Sequence, residues 1–449
     1  MLRDPRLTRR RILTGATGLG LASTFRPGAA ASPLAEMLAA RRAPALLRRQ
    51  DETLTYWGGL IFSDAANALL VDTITAWGEA NGVVTEVVMI NQNETNQKVS
   101  AAVESGTMPD ALDMGLDLLL LLSNAEELID VADVFDKVGA AQGGWYESVD
   151  AATAPEKLGG LRAGLPFGAG GNLLFTRRDV LEAAGLTPPP ETWEQLRDFA
   201  AQTQAPPLYG MGLALSNVGD GNLQMSVLQS YGGRIADDAG TTCTIKSEET
   251  RAYLEWVSAA YEQGLFPPGA TTWDGAGDNT AYLSGQAVFI ANTGSVSLAM
   301  DEDDPELAAA TSYSPLPAGP IGRVSPISPN VRAIPATTAD ADQAKALLEH
   351  LANPEFLAAY YDVAIYGPVL IGQAGFEAFT DLVHAGLADL VANGTAPGAP
   401  DLYNTAYADF SANFIVPKMV QRVVIDGYDL DRAMDEAQQQ GQAIYDKYK

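Results

Sequence analysis

A glycine-rich loop carries the side chains best suited to binding chemistry. Trp273 and Asp274 begin the run Trp-Asp-Gly-Ala-Gly-Asp-Asn, which ends at Asn279. An indole offers a flat apolar face to the C–H side of a pyranose ring, and a carboxylate accepts hydrogen bonds from hydroxyl groups. A tryptophan among glycines has few local neighbours to bury it, although it could instead be a packing residue. We predict that all three residues contact a ligand in a concave site.

Other catalytic or metal-binding constellations are weakly represented. Cys243 is the only cysteine, which excludes an internal disulfide and a Cys-rich zinc site. The two histidines, His350 and His384, lie in helical patterns and are expected to be surface or packing residues. The acidic run 301–304 lacks the ligand spacing of a calcium loop, and the chain has no phosphate-binding loop, nucleophile elbow or zinc-protease motif. We therefore expect no cofactor, no metal and no catalytic residue.

Charge and length limit the class of partner. The 449 residues are 47% hydrophobic, enough to fill the cores of two or three domains. Lys and Arg number 28 against 56 Asp and Glu, a formal net charge of -28, which disfavours nucleic acid and anionic lipid as partners. The first 50 residues hold ten arginines and two acids, leaving 18 basic and 54 acidic residues in the remainder. The basic first 50 residues and the acidic remainder therefore belong to separate parts of the protein.

The basic start has the order of an export signal. Paired arginines at Arg9 and Arg10 precede a mild apolar run at 14–24, and an Ala-x-Ala cleavage site ends at Ala31. This order predicts a signal peptide at 1–31 that resembles the twin-arginine type, followed by a flexible leader at 32–50. A membrane anchor is disfavoured because a span needs about 20 apolar residues. We expect a periplasmic or extracellular protein without a lipid anchor, since no cysteine follows the apolar run.

The elements that must position the candidate residues alternate between strand and helix. β-Type runs at 52–57, 83–90 and 111–114 are separated by helical patterns, which predicts a parallel sheet with crossover helices. Ligands of such sheets bind at the carboxyl ends of the strands. Trp57, Gly58, Asn93 and Asp113 are placed there, although Trp57 could equally be a core residue and Asp113 a helix N-cap.

A second unit of the same kind begins after Gly164. Its predicted strands lie at 173–176, 209–215 and 287–291, and Thr192 to Gln195 has the pattern of a capping box that opens a helix. The segment 314–335 holds six prolines and is expected to be extended, turn-rich chain. Helical patterns follow at 339–352, 355–362, 375–391 and 429–448. The sequence thus predicts two α/β units with a helical tail.

Short motifs in a fixed order carry a resemblance to a known family. The strongest are Ser-Gly-Thr-Met-Pro-Asp, ending at Asp110, and Pro-Glu-Thr-Trp, ending at Trp193, and the pair Phe175-Thr176 departs from the pattern. Together with the order of segments over 52–449, they resemble the carbohydrate-type (family 1) extracellular solute-binding proteins of ATP-driven importers.

The resemblance implies an α/β fold with two lobes, each a mostly parallel sheet flanked by helices, joined by a multi-strand hinge. Lobe one would comprise 51–167 plus 294–365, and lobe two 168–293 plus 366–449. The chain would cross between the lobes near 167–172, 291–295 and 366–370. Asn172, Gly294 and Tyr366 would then lie at the crossovers, where Asn172 could instead close a turn and Tyr366 simply pack.

The implied function is non-catalytic. A monomer would capture a saccharide in the cleft and deliver it to membrane-embedded ABC permease subunits. Two alternatives stay open: a secreted carbohydrate-active enzyme with an Asp/Glu pair, or the same fold with a polyamine, metal or peptide ligand.

Overall fold

The computed structural model of the protein describes residues 53–91, 94–154 and 157–449. The predicted signal peptide at 1–31, the leader at 32–50 and the candidate residue Asn93 lie outside these ranges.

The described ranges contain eleven strands, numbered here in chain order. They are β1 (Thr53–Leu60), β2 (Val84–Asn91), β3 (Ala111–Gly115), β4 (Leu165–Gly170), β5 (Leu173–Arg177), β6 (Tyr209–Met211), β7 (Ala287–Asn292), β8 (Thr311–Pro315), β9 (Ala318–Gly319), β10 (Gly322–Arg323) and β11 (Ser328–Ala333).

The helices of these ranges surround the strands. They are α1 (Asp64–Asn81), α2 (Thr95–Ser105), α3 (Leu116–Asn124), α4 (Ala132–Ala141), α5 (Glu147–Ala152), α6 (Arg178–Ala183), α7 (Trp193–Thr203), α8 (Leu223–Ser230), α9 (Glu248–Glu262), α10 (Gly277–Leu283), α11 (Ser295–Asp303), α12 (Pro305–Ala310), α13 (Ala341–His350), α14 (Pro354–Tyr361), α15 (Leu382–Asn393), α16 (Thr405–Ala412), α17 (Ile415–Val424) and α18 (Leu430–Tyr445). None of the helices described combines the length and apolar character of a membrane span.

Two sheets form the framework, as the predicted two-lobed α/β fold requires. The first has the order β2-β1-β3-β11-β4 and the second β6-β7-β5-β8. Strands β1, β2 and β3 are parallel, but β11 runs antiparallel to β3 and β4, and β5 antiparallel to β7 and β8. The sheets are therefore mixed rather than mostly parallel. A strand that enters from the other sheet starts at the edge where the parallel strands end, so it must run in the opposite direction.

The first passage between the sheets lies between Gly170 and Leu173, within the range expected from the sequence. The second was misplaced at 291–295: β8 still pairs with β5, so the chain returns to the first sheet only between Pro315 and Ser328. The proline-rich pattern around β8 hid this strand.

The third passage also lies later than expected from the sequence. Near the expected place, Tyr146 N donates to Val369 O at 3.1 Å, which keeps this segment against the first lobe. The chain leaves after α15, where Thr395 N donates to Ser325 O at 2.9 Å and Gln229 Nε2 donates to Gly398 O at 3.0 Å. The predicted lobe boundaries at 293/294 and 365/366 are therefore not the points at which the chain changes sheet.

The two strongest motifs have structural roles. Asp110 accepts hydrogen bonds from Thr55 N and Thr55 Oγ1, both at 2.8 Å, and from Thr338 Oγ1 at 3.0 Å. Thr192 Oγ1 accepts from Gln195 N at 3.1 Å, which confirms the predicted start of α7. Asp110 thus links β1 to the segment that follows β11, and Thr192 begins α7.

Two apolar cores hold the sheets, and each core contains residues of both sheets. One includes Leu112 and Phe289, the other Leu165 and Phe175. Helix α16 packs against α3 and contributes to the first core, while α15 packs against β4 and β8 and contributes to the second.

Candidate ligand-binding site

The parallel strands of both sheets end at the edges that the first passage connects. We call the space between these two edges the gap. The carboxyl end of β4 is joined by two residues to the start of β5, which pairs with the carboxyl end of β7 at Asn292. The ends of β1 and β3 lie at the same edge of the first sheet as the end of β4, because β11 is antiparallel to β3 and to β4. A ligand site between the sheets would be built from these ends.

The first lobe places Asp113 in a buried ionic network. The Tyr56 hydroxyl donates to Asp113 Oδ1, and Arg332 Nε lies 3.4 Å from the same oxygen and 3.1 Å from the Tyr56 hydroxyl. Gly59 N donates to Asp113 Oδ2 at 3.3 Å. The alternative N-cap role is wrong, because the residue at the N-cap of α3 is Gly115.

Burial and charge oppose each other in this network. Burial raises the pKa of Asp113, whereas the Arg332 guanidinium lowers it. Arg332 is fully buried and its Cζ lies 4.1 Å from the centroid of the Phe167 ring. The Gly59 bond is the only one to Oδ2 from the described residues and is long, so this oxygen has capacity to accept a further hydroxyl donor.

Tyr366 belongs to the same group. Its ring stacks on Tyr360 with centroids 6.2 Å apart and meets Phe167 edge-on at 5.7 Å. The ring also covers Gly168, where a Cβ would come within 2.7 Å of Tyr366 Cγ. We call this group the tyrosine–arginine cluster: Tyr56, Asp113, Phe167, Arg332, Tyr360 and Tyr366.

In the second lobe, Asn292 organises a network of amides. Its Nδ2 donates to Asp278 Oδ2 at 2.7 Å and to Asn279 Oδ1 at 2.6 Å, while its Oδ1 accepts from Gly294 N at 2.8 Å. Asn279 Nδ2 donates to Ser295 Oγ at 3.2 Å. We call these five residues the amide cluster; the structure brings Asn279 and Gly294 together in it.

The two clusters approach each other at Gly294. This residue has φ of 109°, and a Cβ there would lie 2.3 Å from Ile365 Cγ2. Ile365 directly precedes Tyr366 in the chain. A side chain at position 294 would push the clusters apart, so glycine is needed for this contact.

Asp220 is a candidate that the sequence reasoning missed. It lies in the 3-10 turn Gly219–Asn222, which follows the carboxyl end of β6. Burial raises the pKa of Asp220 to about 7, and the carboxylates of Asp278 and Asp274 add to the effect. The signal available was an aspartate between two glycines, downstream of a strand that faces the gap.

The glycines around Trp273 serve its packing. A Cβ at Gly269 would lie 2.9 Å from Trp273 Nε1, and one at Gly277 would lie 2.2 Å from Trp273 Cγ. The half-buried indole packs against both apolar cores. Asp274 is exposed and its Oδ1 accepts from Ala276 N at 3.1 Å. The indole is therefore held in place by the loop that was expected to leave it free.

The remaining candidates lie apart from the clusters. Trp57 is half-buried against the apolar core that contains Leu112. Gly58 faces the interior of its lobe, where a Cβ would lie 2.6 Å from Met89 Sδ. Asn172 is half-buried between β4 and β5, at the first passage.

A surface groove and the distribution of potential metal ligands bear on where a ligand could bind. A surface groove of about 670 Å³ lies between α1 and α13, lined by residues such as Trp77 and His350, and holds none of the candidate residues. Across the described ranges, no group of three or more His, Cys, Asp or Glu has a metal-binding arrangement. The arrangement at the gap offers carboxylates, amides and a tyrosine ring to a polar, hydroxyl-bearing ligand.

Comparison with known proteins connects this geometry to a family. A family model described as bacterial extracellular solute-binding protein matches residues 72–382. A mannitol-binding protein of Pseudomonas aeruginosa is 28% identical over 190 residues, covering 40% of this chain and 43% of the relative. A putative binding protein of Brucella abortus is 25% identical over 171 residues, 38% of this chain and 41% of the relative. The chain thus matches less than half the length of these curated relatives.

Solved structures share the fold. A solute-binding protein from Agrobacterium radiobacter K84 in complex with ribitol has a TM-score of 0.76 at 20% identity, covering 87% of this chain and 98% of the other. One from Thermotoga lettingae bound with α-D-tagatose has a TM-score of 0.74 at 19% identity, covering 88% and 100%.

Asp220→Asn is expected to change how stability depends on pH. The folded-state pKa lies above the unfolded value near 3.9, so the free energy of unfolding of the native protein falls as pH rises from about 4 to about 7. The variant lacks this loss and should be more stable at about pH 8 by up to about 4 kcal/mol, with little difference near pH 4. Denaturant unfolding across pH measures this difference, with Asp72→Asn at an exposed position of α1 as control. Parallel curves for native protein and Asp220→Asn would contradict the prediction.

Trp273→Ala is expected to lower the free energy of unfolding by about 2–4 kcal/mol, because the indole is seated on two glycines and touches both cores. Trp273→Phe keeps most of the apolar contact and should lose less than half as much. Chemical denaturation of the unliganded protein measures both. A loss below about 1 kcal/mol for the alanine variant would mean that the indole lines open solvent.

Proposed function

This chain belongs to the bacterial extracellular solute-binding protein family, and from that premise we propose that it captures a sugar, a sugar alcohol or an oligosaccharide between its two sheets. It would deliver this solute unchanged to membrane-embedded ABC permease subunits. The observation that carries the proposal is the family match over residues 72–382, which spans every described strand except β1.

The ligands named for similar proteins support the class of solute. Mannitol, ribitol and tagatose are named for three of them, and all are neutral compounds rich in hydroxyl groups. Hydroxyl donors suit carboxylates and amide oxygens, and we propose that Asp113, Asp220 and Asn279 supply these acceptors. Tyr366 adds an aromatic face beside Asp113. We propose Trp57, Gly58, Asn93, Asn172, Trp273, Asp274 and Gly294 as positions that border this site.

Approach of the two lobes would complete the site. The first passage between the sheets spans only Gly171 and Asn172, directly after Gly170 at the end of β4. Glycine lets the backbone absorb a rotation at such a segment. Closure would bring the amide cluster toward the tyrosine–arginine cluster around a bound solute.

We further propose that the protein acts as a monomer outside the cytoplasm, in keeping with its extracellular family. The twin-arginine signal at 1–31 would direct its export, without a lipid anchor at the mature N-terminus. The proposed role needs no metal or cofactor.

A thermal-shift screen is expected to identify the class of solute. Mannitol, ribitol, tagatose, maltose and spermidine are tested at the same concentration on the mature protein. A solute present at about 100 times its dissociation constant adds about 2.7 kcal/mol to the free energy of unfolding, so one hydroxyl-rich compound should raise the midpoint by several degrees.

The same screen separates the alternatives. A shift with spermidine alone would replace the sugar by a polyamine and assign the Asp220 region to a cationic ligand. Hydrolysis of maltose by the purified protein, followed by chromatography, would contradict the non-catalytic role. The variant Gly294→Ala tests whether the clusters must approach each other. Its Cβ would meet Ile365 and prevent that approach, so the variant should lose the thermal shift with the solute.

Replacing both Arg9 and Arg10 with Lys is expected to block export, because the twin-arginine route distinguishes guanidinium groups from ammonium groups of equal charge. Cell fractionation and blotting measure the result. Replacing Arg41 and Arg42 with Lys changes the same residue types beyond the predicted cleavage site and serves as the control. Normal secretion of the Arg9/Arg10 variant would show that another export route is used.

A further inference from the structure

Helix α15 packs closely against the first passage between the sheets and against the segment around Gly367. A Cβ at Gly171 would lie 2.4 Å from Leu390 Cδ2, and a Cβ at Gly386 would lie 2.9 Å from Leu173 Cδ1. At Gly367, an added Cβ would lie 2.9 Å from the carbonyl oxygen of Leu387. Any rotation of one sheet against the other must therefore be accommodated at this helix.

His384 lies in the first turn of α15 and is 3% exposed. Its Nδ1 is hydrogen-bonded to the carboxylate of Asp381, and its Nε2 lies 3.2 Å from the carbonyl oxygen of Ala364. The ring of Phe379 meets the imidazole edge-on with centroids 5.8 Å apart. The histidine thus joins the start of α15 to the chain segment that leads to Tyr366.

Both partners of the imidazole are acceptors, and this determines which form fits. The imidazolium donates from both nitrogens and makes both bonds. A neutral imidazole has one N–H, so one nitrogen lone pair must face either the Asp381 carboxylate or the Ala364 carbonyl. One of the two bonds is then lost in a buried site.

The Ala364 bond lies close to the first passage between the sheets, which we call the hinge. Three residues further along the chain, Gly367 N donates to Ala169 O at 2.6 Å, and Ala169 N donates to Gly367 O at 3.0 Å. Between them, Ile365 packs on Gly294 of the amide cluster. A change at Ala364 is therefore transmitted both to β4 and to the second lobe.

We infer that His384 is a protonation-dependent clamp on the hinge: the imidazolium holds α15 against the segment 364–367, and loss of its proton makes the passage between the sheets easier to deform. This inference does not depend on which solute the protein binds. It adds a conformational control to the proposed function.

The surrounding groups favour the protonated form of His384. Burial lowers the pKa of His384, but the bond to Asp381, the charge of Asp381 and the backbone contacts with Ala364 and Tyr361 together raise it, and the net direction is upward. Burial raises the pKa of Asp381, while its contacts with His384 lower it by more. From α11, Asp301 faces Asp381, and Tyr313 of β8 lies near both acids. The Tyr361 backbone also favours the charged histidine.

The sign of the pH effect follows from this upward shift. A histidine whose folded-state pKa exceeds the unfolded value stabilises the fold fully below the unfolded pKa, about 6.5. That contribution is lost as pH rises through the folded-state pKa. The clamp should therefore be closed in mild acid and weakened in mild alkali.

Histidine NMR on the full mature protein tests the first part. The chain has two histidines, and burial lowers the pKa of His350. Two separate titrations are expected, with His384 above about 6.5 and His350 below it. His350→Gln assigns the signals. A His384 pKa at or below that of His350 would overturn the inference.

Hydrogen exchange resolved by peptide tests the link to the hinge. As pH rises through the His384 pKa, protection at 168–173 and 364–367, corrected for intrinsic exchange, should fall by up to about tenfold per unit of pKa difference. Amides of α18 serve as the internal reference. His384→Gln should remove the pH dependence, and His350→Gln should keep it.

Asp381→Asn provides a second variant that retains the helix cap. Asp381 Oδ1 accepts from Val383 N and His384 N, both at 2.9 Å, and an asparagine oxygen preserves these bonds. The variant lacks the carboxylate charge, so the His384 pKa and the pH at which protection falls should both move down together. Unchanged hinge protection across pH in native protein, or the same pH dependence in native protein and both variants, would refute the clamp.

Discussion

The direction in which the chain passes between the two sheets determines the rest of the molecule. Because β4 ends and β5 begins at the same gap, β5 must run against β7, and β11 against β3 for the same reason. The free ends of β1, β3 and β7 are thereby turned toward one space. The polar residues that we propose as ligand contacts follow or close these strands, so they need not be near each other in sequence.

Buried polar groups stabilise each wall of that space in a different way. In the first lobe, the charge of Arg332 offsets the charge of Asp113 and the aromatic rings exclude water. In the second, the Asn292 side chain makes four hydrogen bonds that join the end of β7 to the starts of α10 and α11. Both arrangements hold their side-chain oxygens in fixed positions, and removing one partner would leave an unpaired polar group in a buried environment.

Local patterns predicted the elements well, and long-range partners determined what was missed. The β-branched run in β2 and the cap at Thr192 depend on neighbours in sequence, and the structure confirms both. Strand β8 is defined by pairing with β5 inside a proline-rich segment, so no local signal identifies it. Arg332 is buried only because Tyr56 and Asp113 meet it from distant strands. Around Trp273, glycine indicated an open loop where it provides close contact for the indole.

Both apolar cores are shared between the two sheets, and this affects how the protein folds and unfolds. Each lobe is assembled from separated stretches of chain, and Leu112 and Phe289 contribute to one continuous apolar core although they lie in different sheets. Neither lobe can then lose its side chains' packing without exposing apolar surface on the other. Because the cores are shared in this way, we expect the two sheets to unfold in a single cooperative transition rather than in two separate ones.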